Sequence, residues 1–210
     1  MRLLLIRHGQ SVGNAEGRLQ GHLDVPLSER GRQESERLAE RLSRLSIDAL
    51  YASPLSRARQ TAELVAARTG LELIERPALM ERDVGALAGL TREEIVARFP
   101  EYEQIRTTGE PPVAIAGYEL DETFGQRVRS GLEEIIGGHA GQTVAAVTHG
   151  GVIASFCRET LELPHTRPGP FALSNTGVSI FDVRDGDDGP SWRPRVHLIT
   201  LNDTCHLDGL

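Results

Sequence analysis

The sequence predicts an α/β fold with three layers: a mostly parallel central sheet with helices on both faces. Three observations carry that expectation. Short continuous apolar runs at residues 3–6, 47–52 and 143–148 are bounded by turn chemistry, as strands buried on both faces are. Other segments place apolar residues at helical spacing, for example Phe124, Val128, Leu132 and Ile135. Strand and helix patterns also alternate along the chain, which is the order of βα units in a parallel sheet.

Each element has a local justification. Residues 3–6 read as the first buried strand. A helix over 27–45 follows, with Ser28 as N-cap and Leu38, Leu42 and Leu45 on one face. Residues 47–52 predict the second strand. "SPLSRARQTAELVAART" then opens a helix with Ser53 as N-cap and Pro54 at the first helical position. Residues 71–74 predict a third strand and lead into the irregular "RPALMERDVGALAGL". Thr91 and Glu94 form a capping box for a helix reaching Phe99. "TTGEPPVAIAGYEL" has loop chemistry, and residues 121–136 are helical. Residues 143–148 form a buried strand, His149-Gly150-Gly151 the turn, and residues 152–161 the next helix. Closing strands are expected at 178–183 and 195–201, around the turn-rich "DGDDGP". Residues 1–210 read as a single domain, with a small irregular cap or insertion around 75–120.

Composition narrows the function. The net charge of −7 argues against a nucleic-acid partner, which calls for a basic face. No apolar run is long enough to span a bilayer, and residues 1–6 are too short and too quickly interrupted by Arg7 for a signal peptide, so the expectation is a cytoplasmic protein without a membrane partner. Cys157 and Cys205 lack paired spacing and read as reduced packing residues. All 23 basic residues are arginine; no lysine occurs. That removes Walker-type phosphate loops, Schiff-base enzymes and protein kinases, each of which needs its lysine. It leaves phosphate binding open, because the guanidinium fork matches phosphate oxygens in bidentate fashion.

Three strand-to-helix turns carry chemistry: Arg7-His8-Gly9, the "SPLSR" turn with Arg57, and Thr148-His149-Gly150-Gly151. Ligands in open α/β sheets bind at the carboxyl ends of the strands. If these strands are neighbours, Arg7, His8, Arg57 and His149 converge, and the helix starting at Pro54 aims free N–H groups at the same point. Such a pocket suits a phosphate dianion. His8 is the candidate nucleophile, kept neutral by nearby arginines. A departing alkoxide needs a proton, and Glu81 in "MERDVG" is the carboxyl group placed to supply it, with Glu75 and Asp83 as substitutes. A metal site from His8, His149 and a carboxylate ranks below this, since short-spaced pairs such as HExxH are missing. His22, His139, His165, His197 and His206 read as surface or packing residues, His22 being the one nearest to reaching the pocket rim.

"LIRHGQS", "SPLSRARQT", "ERDVGALAGL" and "THGG", in that order, resemble the four signatures of the histidine phosphatase superfamily, which contains cofactor-dependent phosphoglycerate mutases and many phosphomonoesterases. The resemblance implies a phosphoglycerate mutase-like fold and phosphorylation of His8. It makes Arg7, Arg57 and His149 ligands of the transferring phosphoryl group and Glu81 the proton donor and later base. It also implies substrate contacts from Ser11, Asn14, Gln20, Gly21 and Gly150, with Arg92 standing where a substrate-binding lysine would lie, and no metal. Two departures point away from the mutases: Gly13 stands where they carry tryptophan, and their basic pair in the insertion is reduced to Arg106 in "IRTTGEPP".

The expected function is therefore a phosphomonoester phosphatase working through phosphohistidine on a small phosphorylated metabolite. A phosphoglycerate mutase comes second, and a non-catalytic phosphate-binding module third. No cofactor is expected; a bisphosphoglycerate primer enters only for a mutase. A homodimer is compatible with the sequence but not legible in it.

Overall fold

A computed structural model describes residues 1–100, 102, 115–163, 171–184 and 196–210. Arg106 and the "DGDDGP" turn lie outside the described residues. The chain runs β1 (Arg2–Arg7), α1 (Val12–Ala15), α2 (Glu29–Leu42), β2 (Ala49–Ala52), α3 (Ser56–Thr69), β3 (Leu73–Glu75), α4 (Arg92–Arg98), α5 (Asp121–Gly138), β4 (Thr143–Thr148), α6 (Gly150–Thr160), β5 (Val178–Val183) and β6 (Val196–Asp203). Short 3₁₀ turns occur at Pro77–Leu79, Gly85–Leu87 and Cys205–Leu207.

The strands form one mixed sheet in the order β3-β2-β4-β1-β5-β6. β3, β2, β4 and β1 pair in parallel, while β5 pairs antiparallel with both β1 and β6. The period-2 alternation of the strands divides the core between the two faces. Leu3, Leu5, Val144 and Ala146 pack on one side against Phe124, Val128, Leu132 and Ile135 of α5 and Val152, Ile153 and Phe156 of α6. Leu4, Ile6, Ala145 and Val147 face Leu38 and Leu42 of α2 and Ala58, Ala62 and Val65 of α3. Val84, Leu87, Ile95 and Ile115 make a small separate apolar cluster, backed by Leu19, Tyr102 and Tyr118.

Several sequence expectations are corrected at element ends. α2 stops at Leu42, and Leu45 beyond it is exposed, because the chain must turn toward β2. α3 begins at Ser56 with Leu55 as cap rather than at Pro54 with Ser53, whose hydroxyl is engaged by His149 instead. α6 begins at Gly150 with His149 as N-cap. α1, absent from the sequence reading, is one turn closed by a Ser11–Asn14 capping box. Cys157 is buried in the core, whereas Cys205 is exposed. Among the described residues no helix is long and apolar enough to cross a membrane.

Candidate active site

The strand order β2-β4-β1 brings the three chemistry-bearing turns side by side. Arg7 lies in register with Thr148 and Ala52 with Val147, so Arg7-His8, His149 and the turn leading to Arg57 leave the same edge of the sheet. The carboxyl ends of these strands open into a cavity of about 320 Å³, small enough for a compact metabolite. Arg7, His8, Asn14, Gln20, Gly21, Arg57, Glu81 and Gly150 all line it.

His8 is buried, and its Nδ1 lies 2.7 Å from the Gly9 carbonyl oxygen. A carbonyl can only accept, so Nδ1 carries the proton and Nε2 the lone pair. Burial first, and the Arg57 and Arg7 cations after it, hold the ring well below the usual histidine range, so it is neutral at pH 7. Asn175 donates to the His8 carbonyl at 2.9 Å and Thr176 N–H donates to the same oxygen at 3.3 Å, which fixes the backbone behind the ring.

His149 meets His8 edge to face, with ring centroids 5.1 Å apart. Its Nε2 is 2.8 Å from Ser53 Oγ, and that oxygen already accepts from Leu55 N–H. Burial, His8, Arg57 and Arg7, in that order, lower the affinity of this second ring for a further proton.

Arg57 is buried and donates to the carbonyls of Leu23 (3.0 Å) and Gly21 (2.8 Å); burial lowers its guanidinium to about 10, which still leaves it charged. Gly21 presents that carbonyl from φ +53°, where a Cβ would also strike Val84 Cγ2 at 2.5 Å. Arg7 donates to Leu173 O at 2.5 Å. Three buried nitrogens here, Arg7 Nε, Arg57 Nε and His149 Nδ1, have no hydrogen-bond partner among the described residues. An unpaired buried polar group costs about 1–3 kcal/mol, and here two such groups belong to guanidiniums that line the cavity, which suits an anion.

Glu81 is the sole acid lining the cavity among the described residues. Its Oε2 accepts from Gly151 N–H at 3.0 Å, at the start of α6, and its Oε1 from Arg82 N–H at 2.8 Å. Glycine at 151 leaves room for this carboxylate: a Cβ would sit 2.1 Å from Glu81 Oε1 and force the side chain to shift. The substitutes considered from sequence are elsewhere, Glu75 exposed at the end of β3 and Asp83 beside His22. No cluster of three His, Cys, Asp or Glu among the described residues is arranged to hold a metal.

Other expectations shift. Ser11 is fully buried beneath the cavity, its hydroxyl bonding Asn14 Oδ1 (3.0 Å) and Gln20 Oε1 (2.7 Å); it supports both side chains and is not part of the lining. Arg92 stands exposed at the start of α4, outside the lining. The N–H of Ser56 at the start of α3 is taken by Asp24 Oδ1 at 2.6 Å, so that helix end is capped by an acid instead of offered to a ligand. His22 reaches the Glu81 backbone and does not line the cavity.

Sequence reasoning missed Arg18, Leu19, Arg82, Val84, Tyr102 and Tyr118, which complete the wall. Arg18 and Arg82 could have been suspected from their positions beside Gln20 and Glu81. Asn175, which also donates to Asn14 Oδ1 at 3.3 Å, carries no local signal, because its partners lie more than 160 positions away.

Comparison with known proteins finds similarity along nearly the whole chain. The family model described as histidine phosphatase superfamily (branch 1) matches residues 3–192. The chain is 38% identical to Phosphoglycerate mutase-like protein 4 of Arabidopsis thaliana over 98% of its own length and 86% of the relative's. It is 34% identical to Phosphoserine phosphatase 1 of Hydrogenobacter thermophilus, covering 99% and 94% of the two chains. A solved structure of mycobacterial glucosyl-3-phosphoglycerate phosphatase in complex with VO3 superposes with a TM-score of 0.82 at 29% identity, over 96% of this chain and 98% of that one.

Proposed function

This chain belongs to the histidine phosphatase superfamily, and we propose that it is a phosphomonoesterase in which His8 carries the phosphoryl group between substrate and water. The observation that carries the reading is that Arg7, His8, Arg57 and Glu81 line one cavity, with His149 edge to face against the His8 ring and buried nitrogens of Arg7, Arg57 and His149 left without partners among the described residues. Those groups hold the phosphoryl oxygens and neutralise charge that builds on them. Nε2 attacks phosphorus as the bond to the alcohol oxygen breaks, and the Glu81 carboxyl gives that oxygen its proton. The resulting carboxylate then takes a proton from water, which attacks phosphorus, restores neutral His8 and releases inorganic phosphate. In this cycle no cofactor is consumed.

We read the substrate as a small phosphomonoester whose alcohol part bears a carboxylate. Arg18 and Arg82 line the cavity with Tyr102 and Tyr118, and a substrate carboxylate would share these arginines with their present partners, Glu16 and Glu94 for Arg18 and Asp121 for Arg82. Phosphoserine and glucosyl-3-phosphoglycerate, named for two of the relatives, are both esters of that kind. The phosphatase reading stands ahead of the mutase: a Cβ at Gly13 would meet Gln20 Cγ and Cδ at 2.7 Å, so the site has no room for a large side chain there. The segment around 75–120, with its own apolar cluster, acts in this reading as a cap that sets specificity.

A substrate panel tests the assignment. Phosphoserine, 3-phosphoglycerate and neutral alkyl phosphates are compared for phosphate release, and 2-/3-phosphoglycerate interconversion is followed in parallel. Phosphate release fastest from the carboxylate-bearing esters is expected. Rapid interconversion with little release would overturn the phosphatase, and a preference for neutral alcohols would overturn the substrate class. Labelled substrate should leave acid-labile label on the wild type and none on His8→Ala.

A further inference from the structure

Glu81 sits in irregular chain, and its backbone is held by one side chain from a distant helix. Arg127 on α5 donates from Nη1 to Ala78 O (3.1 Å) and Met80 O (2.8 Å), and from Nη2 to Glu81 O (3.2 Å). Its remaining donors grip Glu119, Nε to Oε1 at 2.9 Å and Nη2 to Oε2 at 2.8 Å. A guanidinium has five N–H donors, and these contacts use them all. Glu119 Oε2 also accepts from Asp83 N–H at 3.1 Å, so the pair clasps the chain on both sides of Glu81. From the opposite direction His22 Nε2 lies 2.7 Å from the same Glu81 carbonyl, and Thr148 Oγ1 donates to Leu79 O at 2.7 Å.

The arrangement is more than packing. The carbonyls of an irregular segment need partners, but one arginine spanning three of them fixes their relative positions as well. Neither Arg127 nor Glu119 lines the cavity. What they determine is where the backbone delivers the Glu81 carboxyl, whose oxygens then find Gly151 N–H and Arg82 N–H. Proton transfer to a leaving oxygen is sensitive to misplacement on the order of 1 Å.

We propose that Arg127, braced by Glu119, is a positioning residue for proton transfer by Glu81. The proposal rests on Glu81 being the proton donor. Its consequence is selective: displacing the Glu81 carboxyl should slow reactions whose leaving oxygen needs a proton and spare those whose leaving group departs as a stable anion.

The test is single-turnover phosphorylation of His8, by rapid quench, with an alkyl phosphomonoester and with 4-nitrophenyl phosphate. Arg127→Met should slow the alkyl ester about tenfold to a hundredfold, a share of the roughly 10²- to 10⁴-fold due to a positioned proton donor, and 4-nitrophenyl phosphate less than about threefold. Arg127→Lys, which keeps the charge but not the fork, and Glu119→Gln should show the same selectivity in milder form; they decide the matter if Arg127→Met does not fold. Equal slowing of both substrates in the folded variants would overturn the proposal, as would an Arg127→Met loss that adds in full to that of Glu81→Gln. Glu81→Gln alone is the control for the underlying reading: if it slows both substrates equally, the assignment of Glu81 as donor fails, and the role of Arg127 in its placement fails with it.

Discussion

At the scale of single residues, the proposed nucleophile, His8, is defined by what its other nitrogen does. The Gly9 carbonyl takes the Nδ1 proton of His8 and so exposes the Nε2 lone pair, while burial and two neighbouring guanidiniums prevent a second protonation. The sequence reading credited the arginines with this; in the structure burial is the larger cause. An NMR titration of the imidazole should show His8 unprotonated from pH 8 down through 6.5, and a midpoint at 6.5 would contradict the burial argument. Arg57 makes a separate prediction. Charge-assisted hydrogen bonds contribute about 1.5–3 kcal/mol, so Arg57→Ala should weaken inorganic phosphate binding by roughly tenfold to a hundredfold. Calorimetry with phosphate checks this, and a change under about threefold would remove Arg57 from the anion site. Arg7, His8, Arg57, Glu81 and His149 were legible because each sits at a strand end or in a motif with a chemical reason. Asn175 and Arg127 were not, because an amide or a guanidinium that bonds distant carbonyls looks in sequence like any surface residue.

At the scale of elements, α3 serves the site through the Arg57 side chain, whereas the helix that offers it a backbone N–H is α6. Asp24 caps the start of α3, while α6 offers Gly151 N–H to Glu81. A methyl group at 151 would stand 2.1 Å from the carboxylate, yet alanine suits a helix better than glycine. Gly151→Ala should therefore cut turnover of alkyl esters at least about tenfold, the low end of what misplacing a proton donor costs, while leaving the melting temperature nearly unchanged. A fall in melting temperature with turnover intact would show that the glycine serves packing instead. α4 rests on its capping box, Thr91 Oγ1 accepting from Glu94 N–H and Glu94 Oε2 from Thr91 N–H. Thr91→Ala should weaken it by about 1 kcal/mol, seen as faster amide exchange in residues 92–98. That helix was readable from two residues, because capping is a local interaction. The true start of α3 was not, because Ser53 is claimed by His149, a partner 96 positions along the chain.

At the scale of the whole molecule, the last strand and the 3₁₀ turn after it return to brace the active-site edge. Arg41 of α2 binds Asp203 at 2.6 Å and lies 3.3 Å from His206 Nδ1, whose Nε2 is 3.0 Å from Thr176 Oγ1, next to Asn175. Burial, followed by the Arg41 cation and partly opposed by Asp203, lowers His206 to about 4. The unfolded chain, with an ordinary histidine near 6.5, binds more protons than the folded one between about pH 6.5 and 4. The stability contributed by neutral His206 is thus fully present above 6.5 and declines as pH falls toward 4, and buried His8 and His149 act in the same direction. His206→Asn, which cannot charge, should lose less melting temperature between pH 7.5 and 5.5 than the wild type; an equal loss would sink the linkage.

The sequence by itself determined the layered α/β class, the location of most elements and the candidates for the reacting groups, because hydrophobic period, capping and strand-end motifs act within a few residues. Only the tertiary structure decided that β2, β4 and β1 are neighbours, that β5 runs against them, and that Glu81, not Glu75 or Asp83, faces the cavity. Those outcomes depend on which carbonyls and side chains meet across the fold: Asn175 behind His8, Ser53 against His149, Arg127 beneath Glu81. Hydrogen bonds between residues far apart in the chain leave no periodic trace in it, and here they hold His8, His149 and Glu81 in place.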